Sequence, residues 1–166
     1  VEIVTKQLGL DKPILVQYKD WLGAFIHGDL GESFGAQVPV EDIIGKRAEN
    51  TATLALIALA LIIPISIALG VVTGLRAGRP VDHAFSVYSL VNIAVPEFVI
   101  GTFLIAILAV HFGWFPAVSL IPPDESALAH PDLLFLPVLT LVIGAVAYNN
   151  RLVRAGVIEA MRSDYV

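Results

Sequence analysis

Hydrophobic and polar positions follow two different rhythms along this chain. Over roughly the first fifty residues they are mixed and compatible with water. Within that part Ile14, Tyr18, Trp21, Leu22, Phe25 and Ile26 recur at helical spacing while Lys19 and Asp20 fall elsewhere, which predicts an amphipathic helix ending near His27. Asp11, Lys12 and Pro13 ahead of it have the form of an N-cap followed by a first-turn proline. The run from His27 to Ser33 is rich in Gly and Asp and predicts a turn, after which Pro39, Glu41 and Asp42 predict a second helix that feeds into a membrane.

The second rhythm is long and uncharged. From about Ala52 to Leu75 Pro64 is the only interruption, a length sufficient for a hydrocarbon slab of roughly 30 Å. A second apolar run covers about 84–110 with Asn92, Pro96 and Glu97 near its middle, and a third covers about 133–150, ending in Asn149 and Asn150. The fold class expected is all-α, a polytopic transmembrane helical bundle with about three membrane spans. Its organisation is an extracytoplasmic segment of amphipathic helices over 1–51, membrane helices over 52–150 and a cytoplasmic helix over 151–166.

Composition strengthens this reading, because 57% of the residues are hydrophobic, only 15% are charged and the mean hydropathy is +0.81. An ordinary globular domain is about half apolar and about a quarter charged. Fifteen acidic against ten basic residues, with no Lys/Arg stripe, argue against nucleic acid as a partner. Without cysteine there is no disulfide framework, thiol nucleophile or zinc-thiolate site. The ends, Val1 and Val166, carry neither signal-peptide zones nor a helix stop, so the chain is expected to be a fragment of a longer protein.

Charge also orients the spans, since Lys and Arg near helix ends stay on the cytoplasmic side. Arg76 and Arg79 follow the first span and Arg151, Arg154 and Arg162 the third, whereas 111–132 has neither residue type. Three crossings with the tail inside fit, which leaves the first fifty residues outside despite their five cations.

Few residues carry candidate chemistry. Gly70 and Gly74 are four apart and would let another helix approach closely, although glycine is common in membrane helices anyway. Glu97 costs roughly 2.5–3.5 kcal/mol near the membrane middle and such a group usually faces a bundle interior or watery cavity. Pro96 beside it frees a backbone carbonyl and can kink the span. Asn92, Pro96 and Glu97 are therefore expected to line a polar substrate pathway, the alternative being a broken helix with Glu97 at a re-entrant turn or neutral by protonation. The histidines at 27, 83, 111 and 130 lack the spacing of a metal site, and no nucleophile elbow, zinc helix or Walker loop is present. No metal, cofactor or catalytic residue is expected, and any ATP is bound by another chain. Phe112, Trp114 and Phe115 form an aromatic cluster suited to an interface or to loop packing, and the basic tail reads equally as a positive-inside anchor.

Several segments, in order, resemble the permease subunits of binding-protein-dependent ABC importers of the dipeptide, oligopeptide and nickel group. Leu8-Gly9-Leu10-Asp11-Lys12-Pro13, Gln17-Tyr18, Trp21-Leu22 and Gly28-Asp29-Leu30-Gly31-Glu32-Ser33 are similar to that family's extracytoplasmic segment. Arg47 with 51–56, Phe112-Gly113-Trp114-Phe115-Pro116 and Leu136-Pro137-Val138-Leu139-Thr140-Leu141 resemble its later helix starts and loop. Arg151, Arg154, Asp164 and Tyr165 look like the run-in to its ATPase-contacting loop, which would begin just beyond Val166. Glu97 departs from the small or neutral residue expected there. The resemblance implies a permease in the cell (inner) membrane, contacting lipid, that works by alternating access with a second permease, two cytoplasmic ATPase subunits and an extracytoplasmic solute-binding protein. The alternative reading is a fragment of an ion-coupled secondary transporter, for which Glu97 would be the coupling carboxylate. A membrane protease is poorer still, because the spans hold no Asp and no central His.

Overall fold

A computed structural model describes residues 12–122 and 125–163. The expected N-cap Asp11, the segment before it, and Asp164 and Tyr165 lie outside those residues. The chain divides into two compact units between Glu49 and Asn50.

In the first unit α1 spans Ile14–Ile26 with Pro13 at its N-cap, and none of its residues is buried. Its aromatic face is organised by stacking: the Trp21 ring lies 5.4 Å from Phe25 and 6.0 Å from Tyr18. The expected turn follows. Gly28 and Gly31 adopt φ of 89° and 75°, where side chains are rarely accommodated, and Asp29 Oδ1 accepts from the Gly31 N–H at 2.8 Å. Glu32 and Pro39 then pair as an isolated antiparallel bridge.

The second helix start and the first span are one element, α2, over Val40–Leu75. Glu41 and Asp42 in its first turn suit the positive end of the helix dipole. Pro64 lies inside it and deprives the Ala60 carbonyl of its helical donor. Although the helix is apolar all round from Ala52, the buried positions form a single stripe: Ala58, Ile62, Ser66, Gly70, Thr73 and Gly74. Spacings of four and three keep them on one face, away from the exposed Leu59, Ile63 and Ile67, and apart from Ile62 they are small.

Gly78, at φ 79°, turns the chain into α3, Pro80–Ala94, with Pro80 in the first turn. The second span is not a single helix. α3 stops at Ala94, α4 runs Glu97–Leu104 and continues as a π-helix over Ile105–His111, and the two halves are bent by 101°. Pro96 is the cause: its ring drives Val95 out of the helical region to φ −94°, ψ 123°, and its missing N–H leaves the Asn92 carbonyl without a helical donor. The Pro96 carbonyl in turn accepts from Val99 and starts α4.

α5 covers Pro131–Ala160, longer at both ends than the expected 133–150, and takes in the basic tail without a break. Phe115 stacks on Phe135 at 4.1 Å and ties the preceding loop to it. Register fixes the bundle. Gly70 and Gly74 of α2 face Val153 and Val157 of α5, while Leu54 and Ile57 pack with Leu134 and Val138, so α2 and α5 run parallel. The bent pair must therefore carry the chain back along the whole of α5. It does so with Asp82 at Arg154, Tyr88 at Ile143, Glu97 at Gly144 and Gly101 at Thr140. No progress along α5 is made between Tyr88 and Glu97, which is where the bend lies.

By length and composition, α2 and α5 can each cross a membrane, and the bent pair makes a third crossing if it is one span. Among the described residues there is no named strand.

Candidate functional site

The bend places its polar groups at the middle of α5, since Gly144 is the fourteenth of the thirty residues from Pro131 to Ala160. Asn92 is half-buried and its Nδ2 donates to the Tyr88 carbonyl at 2.9 Å. The Tyr88 hydroxyl donates to the Ile143 carbonyl at 3.0 Å and so pins α3 to α5 at this level. Pro96 is exposed at the corner. Glu97, the first residue of α4, is exposed too, and its side chain lies flat against Gly144: a Cβ there would be 3.0 Å from Oε1 and 3.3 Å from Cγ. Its carboxylate has no hydrogen-bond partner among the described residues. One turn further, a Cβ on Gly101 would lie 3.4 Å from the Thr140 side chain, whose hydroxyl is turned back to the Leu136 carbonyl. Asn92, Pro96 and Glu97 thus share one corner and one level, joined through Tyr88 and α5 rather than by direct bonds.

At the end where α2 and α5 finish, a different arrangement holds the helices. A Cβ on Gly74 would be 2.7 Å from Val157 Cβ, and one on Gly70 would fall within the Val153 side chain, so α5 packs directly on the α2 backbone. Between these glycines Thr73 is fully buried and donates to the Leu69 carbonyl at 2.8 Å, with Asn150 Oδ1 at 3.3 Å. Asp82, only 2% exposed, receives Nε and Nη2 of Arg154 on its two carboxylate oxygens, the latter at 2.8 Å, and the Gly78 N–H at 2.8 Å. A two-pronged guanidinium–carboxylate contact with a third donor satisfies a carboxylate that burial alone would heavily penalise. Arg151 takes another direction and lines a surface groove of about 300 Å³ with Ile93, Tyr148 and Leu152.

Sequence reasoning picked out Asn92, Pro96, Glu97, Gly70, Gly74, Arg151 and Arg154 but missed Asp82, Tyr88, Gly144 and the Thr73–Asn150 pair. Asp82 had a signal, an acidic residue in the first turn after Pro80 within an otherwise basic connection. Gly144 had only the absence of a side chain within an apolar run.

A family model described as binding-protein-dependent transport system inner membrane component matches residues 63–166. A Brucella abortus (strain 2308) protein named as a peptide transport system permease is 34% identical over 166 residues, all of this chain and 53% of that protein. The oligopeptide transport system permease protein AppB of Bacillus subtilis (strain 168) is 32% identical over 164 residues, 97% of this chain and 52% of that protein. The chain thus spans about half the length of the curated relatives it matches.

Proposed function

The chain belongs to the family of binding-protein-dependent transport system inner membrane components, and from that premise we propose that it is part of a permease for peptides or a related small solute. The family is a transport component rather than an enzyme, and it is a membrane component. In the proposed importer the parent protein crosses the cell (inner) membrane several times and forms the path with a second permease. Two cytoplasmic ATPase subunits hydrolyse ATP, an extracytoplasmic solute-binding protein delivers the solute, and the helices alternate between outward-facing and inward-facing arrangements. Residues 1–51 belong to the outer face. Residues 151–166, with Arg151, Arg154, Asp164 and Tyr165, lead towards the ATPase contact.

Asn92, Pro96 and Glu97 line the path, and the observation that carries this is the unpartnered Glu97 at mid-height of α5. A carboxylate near the bilayer middle costs roughly 2.5–3.5 kcal/mol on insertion scales. Its place at the start of α4 returns about 0.3–1 kcal/mol from the helix dipole, too little to keep it against lipid. Water in a pathway supplies the remainder, and the free Asn92 carbonyl at the same corner needs such a donor as well.

The test is purification of the full-length parent from its native membrane, followed by reconstitution with its co-purifying chains. A Walker-motif ATPase, a second permease and peptide-stimulated hydrolysis in the presence of the receptor are expected. A lone polypeptide showing ion-driven uptake would replace this reading by the secondary transporter. For the path itself, Glu97→Gln and Glu97→Ala are expected to reduce uptake at normal expression, and unchanged uptake would remove Glu97 from it.

A further inference from the structure

At the end of the bundle where α2 and α5 finish, Arg154 meets both α2, at Gly70 and Gly74, and the start of α3, at Asp82. Its backbone N and O would lie 3.2 Å and 3.3 Å from Cβ atoms on Gly70 and Gly74, so its main chain rides on α2. Its guanidinium grips Asp82 at the start of α3, and Asp82 in turn holds the Gly78 N–H of the connecting turn at 2.8 Å. A cation retained only to orient the span would extend its head into water. This one is spent on a carboxylate that is 2% exposed.

The two contacts differ in what they transmit. Glycine against valine permits sliding and rotation of α5 on α2, whereas a planar fork on a carboxylate fixes both distance and angle between α5 and α3. From Asp82, α3 runs without a break to Ala94 and the bend at Val95 and Pro96, while beyond Arg154 α5 runs on to Ala160. A displacement of the far end of α5 thus reaches the start of α3 through a rigid contact and arrives at the corner that carries Asn92 and Glu97.

We propose that Asp82 and Arg154 are positioning residues that couple the end of α5 to α3 and hence to the bend. The inference rests on the transport reading and adds to it the link through which the solute path follows the end of α5.

The experiment uses the full-length parent assembled with its partner chains in proteoliposomes, with radiolabelled alanine peptides as probes. Uptake per ATP hydrolysed and the amount of assembled complex are both measured. Asp82→Asn is expected to assemble yet lower uptake per ATP by about tenfold, within the usual span of coupling between sites. The exchange Asp82→Arg with Arg154→Asp is expected to recover most of that loss. Arg154→Lys, which keeps the charge but not the fork, is expected to fall between, and it decides the matter if Asp82→Asn assembles poorly. Wild-type uptake per ATP in Asp82→Asn or in Arg154→Lys overturns the coupling role. A wild-type complex that neither takes up peptide nor hydrolyses ATP overturns the transport reading itself, a result distinct from an active wild type with indifferent variants.

Discussion

Gly144 has no side chain, and for that reason the Glu97 carboxylate can lie against α5 at its midpoint. Gly144→Ala would meet the end of a flexible side chain, which can swing aside, so the protein should fold normally while uptake falls a few-fold. Adding Glu97→Ala to it should cause no further loss, because both changes act on the position of one carboxylate. Additive losses in that double-mutant cycle would separate the two residues. Gly70→Ala meets Val153 and the Arg154 main chain instead, which cannot swing away. Overpacking of this kind costs typically about 1–3 kcal/mol. A clearly lower melting temperature of the full-length protein in mild detergent is expected, with Gly156→Ala, whose Cβ meets nothing within 4 Å, unchanged.

Among the elements, the broken second span shows how one residue redirects a helix that is otherwise apolar and regular. Pro96 excludes the helical conformation at Val95, and the Tyr88–Ile143 hydrogen bond then fixes where the first half leaves α5. Spin labels at the exposed positions Val87 and Ile107 report the bend. Twenty residues of straight helix would separate these positions by about 30 Å. The wild type should give a distinctly shorter distance and Pro96→Ala a longer one, with reduced uptake. An unchanged distance in Pro96→Ala would assign the bend to packing alone. α2 presents the opposite case: hydropathy marks it as a span but assigns it no face, and the buried stripe from Ala58 to Gly74 is set by what it packs against.

For the whole molecule, register along α5 bears on the count of crossings. Because α2 and α5 finish at the same end, the chain between them returns over their height, and the bent pair is expected to act as one crossing. With the Arg-rich end inside, single cysteines at Ala77 and Ser163 should react with a membrane-impermeant maleimide only after permeabilisation. One at Ser119 should react in intact right-side-out vesicles. The chain itself contributes no cysteine to the background. Labelling of Ala77 and Ser119 from the same face would make the bent pair re-entrant, and labelling of Ala77 and Ser163 from outside would invert the topology.

The sequence alone determined the all-α membrane class, the family resemblance, the apolar runs and the corner residues, because charge exclusion over twenty residues and a mid-span proline act locally. Hydrophobic patterning has no resolution inside a helix that is apolar all round. The continuity of the second helix start with the first span and the reach of α5 to Ala160 were therefore decided by the folded chain, whereas a break at Pro96 was already one of the two readings open in the sequence. So were the pairings across the bundle. Asp82 and Arg154 are 72 residues apart, and Tyr88 and Ile143 are 55 apart. Such partners are chosen by helix register, which side-chain size and close approach set only after the helices have packed.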